Sequence, residues 1–434
     1  MDTKLKMSSP LEVIRSSPAR QRIDGFYLLW ILTALVAVWV AWNVRSQPPM
    51  ARSKATPART AGKTRAGSVV RNARDLQCRP GPWGDLMGTR ITIERPDEFV
   101  CITAHTNFSS RWFFQNYSPS RLAELFDSCE LDQAQRANLM ASNHWQMGAD
   151  GIVVQPPREL IYAMGNQARQ RIYSVLAECT QNYLQRFAFC FRTNGFEEWF
   201  YQSGLSPRTV AMVRRLLYVR GPALCFADLP EVFCRVESPD EQFRLLKTLS
   251  RESTILLELC VKPDTDTGKL ANYWGKEGMA KDIRPLLESL TRIPEGYTLD
   301  VSHLLPPFAR MRLYAYPYPS EDPLALRRDC FWTVMNFFNE LPDDRFCDYQ
   351  YVTQVLQKEY YPVQDDLTYG DVILLLNDHR APVHAAVYLA DDIVYTKNGA
   401  HFDQPWILME MRDLLAFYPS PSPVQFTAHR LKKG

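Results

Sequence analysis

Residues 370–399, GDVILLLNDHRAPVHAAVYLADDIVYTKNG, decide the fold of the C-terminal part of this chain. Gly370-Asp371 is a turn signal before an apolar run that ends at Leu376. A second apolar run begins at residue 383 and a third at residue 393, and Asp391-Asp392 between them predicts a tight turn. Apolar runs bounded by Gly, Asn and Asp are typical of β-strands. We therefore predict an antiparallel meander that follows a helix.

The hairpin around Asp391 predicts which polar residues meet. If the turn centres on Asp391, His384 on the second strand lies opposite a residue close to Asn398 on the third. Residues that lie opposite each other in an antiparallel pair point to the same face of the sheet. We therefore expect His384 to lie beside a polar group from the segment 396–398.

A cysteine precedes this meander at the predicted start of a helix. Asp329-Cys330 is followed by the apolar, aromatic run FWTVMNFFNEL, residues 331–341. Free backbone N–H groups and the helix dipole stabilise a thiolate at a helix start, and they can also form an oxyanion hole. A helix packed on the meander could bring Cys330 to His384. Cysteine, histidine and an orienting polar residue then have the order of nucleophile, base and orienter in a thiol hydrolase.

Residues 325–420 resemble the NlpC-type papain-like cysteine peptidases. The resemblance rests on the helix-start Asp-Cys, the strand GDVILL and the segment HAAVYLADDIVY. It implies a helix packed on an antiparallel sheet, amide hydrolysis and cell-wall peptides as substrates, with Cys330 as nucleophile and His384 as base. Phe331-Trp332 stands where the family has a small Ser-Gly pair. The third position is Asn398, Thr396 or His401, and we favour Asn398 because its amide oxygen can accept the imidazole N–H.

The N-terminal segment predicts membrane attachment. Residues 25–44, GFYLLWILTALVAVWVAWNV, carry no charge, and twenty residues of helix span ~30 Å, the thickness of a bilayer core. We predict a single-pass transmembrane helix after a polar tail, residues 1–24. We assign the following part to the extracytoplasmic side, while the basic residues after the helix favour the cytoplasmic side, so the side stays open. Residues 45–75 are basic and lack aromatic residues, which predicts a disordered linker.

The middle region, residues 76–300, predicts a mostly helical domain of unknown role. Ser206-Pro207 and Ser238-Pro239 each pair an N-cap residue with a proline at the first helical position. The segment ILLELCV, residues 255–261, is compatible with a buried strand or a short helix. The predicted fold class is α+β, with a transmembrane helix, this helical region and a papain-like domain over residues 301–434.

Composition limits the classes of function. The 434 residues are 46% hydrophobic and 23% charged with a net charge of +2, which excludes a wholly disordered or coiled-coil chain. The ten cysteines contain no C-x-x-C pair, and we expect most of them to be buried thiols. No phosphate loop, dinucleotide fingerprint or H-E-x-x-H is present, so we predict no metal and no organic cofactor. Specific nucleic-acid binding is not expected either.

Two functions remain from the sequence. The first is a membrane-anchored cysteine amidohydrolase or peptidase acting on peptides, with peptidoglycan as a candidate substrate and Cys330, His384 and Asn398 as the catalytic residues. The second is a non-catalytic, membrane-tethered binding or assembly protein that retains the papain-like fold. Cys330 is then a core thiol, or it forms a disulfide with Cys347. A catalytic Cys330 must face a cleft within ~4 Å of His384, which discriminates between the two functions.

Overall fold

Antiparallel pairing builds every sheet in this computed structural model, which describes residues 64–66, 68–100, 110–192, 195–221, 223–320, 322, 325–418 and 425–432. The described residues contain eighteen strands. They are β1 (Thr64–Ala66), β2 (Ser68–Gln77), β3 (Asp85–Glu94), β4 (Trp112–Gln115), β5 (Trp145–Gly148), β6 (Gly151–Val154), β7 (Phe189–Arg192), β8 (Tyr218–Arg220), β9 (Ala223–Phe226), β10 (Glu252–Val261), β11 (Tyr297–Asp300), β12 (Ala315–Pro317), β13 (Tyr360–Val363), β14 (Val372–Leu376), β15 (Pro382–Ala390), β16 (Ile393–Lys397), β17 (Trp406–Glu410) and β18 (Gln425–Leu431).

Fifteen α-helices connect these strands in the described part of the chain. The predicted N-caps Ser206 and Ser238 are confirmed, since each accepts a hydrogen bond from a backbone N–H three residues on. The helices are α1 (Pro119–Ser128), α2 (Gln133–Met140), α3 (Arg158–Ala163), α4 (Asn166–Glu178), α5 (Tyr183–Arg186), α6 (Phe196–Phe200), α7 (Pro207–Arg215), α8 (Leu229–Phe233), α9 (Pro239–Leu249), α10 (Thr267–Trp274), α11 (Ala280–Leu290), α12 (Pro307–Arg310), α13 (Cys330–Met335), α14 (Tyr349–Glu359) and α15 (Met411–Phe417).

The C-terminal sheet contains the predicted meander. It has six strands in the order β13-β18-β14-β15-β16-β17. The tight turn is present where the sequence predicts it, because Asp391 and Asp392 both have positive φ, +44° and +62°. Two consecutive positive φ values match the twist of a two-residue hairpin. Helix α13 packs on this sheet and contacts β15 and β16.

The middle region is not mostly helical, which corrects the predicted fold class. It contains the four-stranded sheet β11-β10-β3-β2 and two three-stranded sheets, β4-β6-β5 and β7-β9-β8. The segment 255–261, compatible with a strand or a helix from its sequence, lies in strand β10. The four-residue strands are too short to show a period, and β10 pairs with β3 across more than 150 residues of sequence. The fold is therefore mixed α/β with antiparallel sheets.

The membrane predictions are corrected as well. The longest described helix, α4, has 13 residues, and no helix among the described residues is long and apolar enough to cross a bilayer. The predicted transmembrane helix over residues 25–44 and the tail before it lie outside the described residues. Within the predicted linker 45–75, residues 64–66 form β1, which pairs with β12, and residues from 68 on begin β2.

The main hydrophobic core joins the middle region to the C-terminal sheet. It contains Leu257 of β10, Trp274 of α10, Trp332 of α13 and Val387 of β15. The unit Gly62–Gly434 is compact. A boundary between residues 300 and 301 stays a prediction. The shared core buries one face of the strand that carries His384.

Candidate active site

Cys330 is the first residue of α13, as the sequence predicts. The carboxylate of Asp329 caps this helix and accepts hydrogen bonds from the backbone N–H groups of Phe331 (2.8 Å) and Trp332 (3.0 Å). These are the N–H groups that were expected to stabilise an oxyanion. Because Asp329 occupies them, the helix start offers a carboxylate where the predicted mechanism needs free donors.

The Cys330 thiol is held in its neutral form. Cys330 is 5% exposed, and burial together with the Asp329 charge raises the pKa of its thiol far above the ordinary value. Backbone hydrogen bonds from Ala385 and the ammonium of Lys397 oppose this rise without reversing it. The local electrostatics therefore disfavour a thiolate, contrary to the expectation from the helix start.

His384 takes part in a chain of hydrogen bonds that does not include Cys330. Its Nε2 lies 2.7 Å from Thr396 Oγ1, and its Nδ1 lies 2.8 Å from Tyr418 Oη. The Tyr418 and His384 rings stack with their centroids 4.4 Å apart. Thr396 Oγ1 donates to Asn398 Oδ1 at 3.4 Å. Since Thr396 donates to Asn398, it accepts from His384 Nε2–H, which leaves Nδ1 as the acceptor for Tyr418.

Burial keeps the His384 imidazole neutral. The side chain is 1% exposed, and desolvation lowers its pKa to about 3. Both ring nitrogens have a hydrogen-bond partner, so the neutral ring is fully satisfied. The described residues contain no hydrogen bond between His384 and Cys330.

Strand alternation explains why the two residues do not meet. In the register of β14 with β15, His384 lies opposite Leu375, and Ala385 lies opposite Leu374. Leu374 and Ala385 belong to the core that contains Cys330. Leu375 belongs to the core on the other face of the sheet, against which Tyr418 packs. The imidazole therefore points to the face opposite α13.

The three candidates for the third position have different surroundings. Thr396 contacts His384 directly, which the hairpin predicted for the segment 396–398. Asn398, the favoured candidate, is one hydrogen bond further along, and its Nδ2 contacts Met409 Sδ at 3.2 Å. His401 pairs instead with Asp403 at 2.9 Å and is mostly exposed.

Two residues near the site were not predicted. Tyr418 follows α15, beyond every motif in the sequence, and no local pattern indicates that it returns to His384. Lys397 is 1% exposed, donates to the carbonyls of Gly399 (2.5 Å) and His401 (3.1 Å), and has its pKa lowered to about 8 by burial. The sequence pattern predicts that a lysine in a strand is exposed, because the alternation of side chains does not show that other residues cover this end of the strand.

The described residues contain no group of His, Cys, Asp and Glu side chains that could hold a metal ion. That the protein uses no cofactor stays a prediction. No family model, no curated protein and no solved structure matches this chain. The resemblance to NlpC-type peptidases over residues 325–420 therefore also stays a prediction.

Proposed function

We propose that this protein binds an anionic peptide without cleaving it, and that Cys330 and His384 serve the structure of the C-terminal sheet. One observation carries the non-catalytic part. Both ring nitrogens of His384 are occupied, Nδ1 by the Tyr418 hydroxyl and Nε2 by Thr396, and neither bonds to Cys330 in the described part of the chain.

The pKa shifts of Cys330 and His384 also support a non-catalytic site. Catalysis needs a proton to pass from the Cys330 thiol to the His384 imidazole. The thiol pKa is raised and the imidazole pKa is lowered to about 3, so both shifts oppose that transfer. A thiolate and an imidazolium would also be two charges in a site from which water is excluded.

A surface cavity beside α7, largely open to solvent and lined by exposed arginines, supports the binding part. Arg208 and Arg215 lie two turns apart on one face of α7, with the small Ala211 between them. Neither arginine forms an ion pair with a carboxylate among the described residues. The guanidinium groups of Arg215 and Arg235 lie 4.9 Å and 4.8 Å from the ring centroid of Tyr162.

The guanidinium groups make the lining of this cavity positively charged. Arg214 and Arg235 also line it, but they pair with Glu197 and Glu231 respectively. Unpaired guanidinium groups bind carboxylates through two parallel hydrogen bonds. The cavity is open to solvent, so its exposed arginines are accessible to the acidic side chains of a peptide.

A titration of the full chain with a fluorescent tetra-glutamate peptide tests this function. We expect saturable binding that weakens at least about tenfold in the double variant R208Q/R215Q, since each charge-assisted hydrogen bond contributes about 1.5–3 kcal/mol. Arg171→Gln, an exposed arginine on α4, is the matched control. The peptide should be intact by mass spectrometry after incubation. Binding that is equal in both variants, or cleavage of the peptide, contradicts the proposal.

A second candidate is a cysteine amidohydrolase, and the position of Cys330 at the first residue of α13 favours it. The Thr396–Asn398 chain holds Nε2 protonated, which leaves the Nδ1 lone pair as a base with Tyr418 as its hydrogen-bond partner. Tyr418→Phe keeps the ring and frees Nδ1. Hydrolysis of wall peptides that appears in this variant and disappears in the double variant Y418F/C330S would favour the hydrolase over the binding protein.

A further inference from the structure

Two cysteines lie opposite each other in the sheet β7-β9-β8. Cys190 on the edge strand β7 is in register with Cys225 on the central strand β9, and their Sγ atoms are 3.5 Å apart. Cys225 is buried and Cys190 is half-buried. Opposed residues in an antiparallel pair have Cα atoms about 4.5–5.5 Å apart, within the range that a disulfide bridges.

An arginine without a carboxylate partner lies beside this thiol pair. Nη2 of Arg220 is 3.8 Å from Cys190 Sγ, and Nη1 donates to the carbonyl of Gln185 at 2.8 Å. The Nε of Arg220 is buried without a hydrogen-bond partner, as is the hydroxyl of Tyr218. Among the described residues no carboxylate pairs with Arg220. A partly buried guanidinium is stabilised by a neighbouring anion, and the thiolate of Cys190 is an anion within its reach.

The two thiols differ in acidity. The two thiols share a hydrogen bond in which either can be the donor. With Cys225 as the donor, this hydrogen bond together with Arg220 lowers the pKa of Cys190 to about 7. The same hydrogen bond and burial raise the pKa of Cys225. Cys190 is thus the thiol that ionises near neutral pH, and Cys225 keeps its proton. A thiolate beside a second thiol is the arrangement of redox-sensitive cysteine pairs.

We propose that Cys190 and Cys225 are a peroxide-reactive pair, in which Cys190 reduces a hydroperoxide and Cys225 resolves the product. The Cys190 thiolate attacks the terminal oxygen of the hydroperoxide, the O–O bond breaks, and an alcohol or water leaves after taking up a proton. Cys225 then attacks the sulfenic sulfur, an S–S bond forms, and water leaves with the Cys225 proton. Two thiols and one hydroperoxide give one disulfide, one alcohol and one water. A small thiol reductant restores the pair.

The buried donors of Arg220 and Tyr218 have a role in this reaction. They are the polar groups near the thiol pair that lack a partner in the reduced protein. Donors of this kind stabilise the negative charge that develops on the leaving oxygen. This inference is independent of the proposed binding function, because β7 and β9 contribute no residue to the arginine-lined cavity.

Oxidation of the full chain by one equivalent of hydrogen peroxide tests the proposal. We expect a loss of two hydrogen atoms in mass and a cross-linked peptide that joins Cys190 to Cys225. Cys225→Ser should instead give a sulfenic acid at Cys190 that dimedone traps. Cys234 is the internal control, because it is exposed and lies 3.8 Å from an arginine nitrogen but has no neighbouring thiol among the described residues.

Two substitutions of Arg220 distinguish an effect of its charge on Cys190 from a purely structural role. Arg220→Gln should slow oxidation of Cys190 at pH 7 relative to Cys234 in the same sample by about fivefold, and Arg220→Lys should restore part of the rate, because a rise of one unit from a pKa near 7 lowers the thiolate fraction at pH 7 about fivefold. Oxidation of Cys234 without a cross-link between Cys190 and Cys225 in the wild-type chain would overturn the proposal. So would equal rates in all three proteins. The wild-type result stands even if a variant does not fold.

Discussion

Cys330 and Cys190 are both cysteines beside polar partners, and their surroundings give opposite chemistry. Cys330 begins a helix and belongs to a recognisable sequence pattern, but the nearest carboxylate caps that helix and burial raises the thiol pKa. Cys190 lies in a short edge strand without any motif, and a guanidinium and a second thiol lower its pKa to about 7. We therefore expect the charge of the groups next to each sulfur to set the reactivity of the thiol, whether or not the cysteine belongs to a sequence motif.

The largest expected effect is the difference in rate between these two cysteines. At pH 7 we expect a small alkylating reagent to modify Cys190 at least about 100-fold faster than Cys330, since the pKa of the Cys190 thiol is lowered and that of the Cys330 thiol is raised. Isotope-coded labelling followed by peptide mass spectrometry measures both rates in one sample. Similar rates at the two sites would remove the contrast.

The second effect concerns stability. His384→Ala should lower the free energy of unfolding by about 3 kcal/mol, because it leaves a cavity and two buried hydroxyl groups, of Thr396 and Tyr418, without their partner. Cys190→Ser should cost about 1 kcal/mol, since its neighbours keep a hydrogen-bonding partner. Urea denaturation compares the two variants. A cost below 1 kcal/mol for His384→Ala would argue against a structural role for this histidine.

The third effect is on the pH dependence of stability. The His384 pKa is lowered from 6.5 to about 3 in the folded protein, so between these values the unfolded chain binds more protons than the folded one. Stability from this group is complete above pH 6.5 and falls as the pH drops toward 3, by up to about 1.4 kcal/mol per pH unit. His384→Gln should flatten this part of the profile. An unchanged slope between the two proteins would show that His384 is not the group that titrates.

The smallest expected effect is the difference in stability loss between substitutions of Thr396 and Asn398, the two residues that follow His384 in its hydrogen-bond chain. Thr396→Val leaves the imidazole Nε2–H without an acceptor and should cost about 1–2 kcal/mol of stability. Asn398→Ala removes a longer hydrogen bond and should cost less than about 1 kcal/mol. Thermal or urea unfolding measures both. The reverse order would make Asn398 the direct partner that the sequence favoured.

The C-terminal strands were predictable because their signals are local. Asp391-Asp392 marks the turn, and the runs on either side of it define β15 and β16, so the neighbourhood of His384 and Thr396 follows from counting residues. Which face of the sheet carries the His384 imidazole was not predictable. Strand β15 is buried on both faces, and its sequence HAAVYLA does not alternate between apolar and polar residues.

The rest of the fold depends on contacts that sequence patterns do not report. Strand β10 pairs with β3, and Tyr418 returns to His384 after three further elements, β16, β17 and α15. The pairing of Cys190 with Cys225 likewise joins strands separated by three helices or strands. Each residue on its own is an ordinary core residue. Only the register that brings the two thiols and Arg220 together gives them a chemical role.

The pH profile of Cys330 alkylation in the full chain, measured from pH 5 to pH 10 beside His384→Gln, tests the central claim most directly. We predict negligible labelling at pH 5–6, a rise only above the ordinary pKa of a cysteine, and the same profile in the variant. Fast labelling of Cys330 at pH 5–6 that falls sharply in His384→Gln would demonstrate an activated thiolate paired with this histidine, and it would contradict a non-catalytic role for the site.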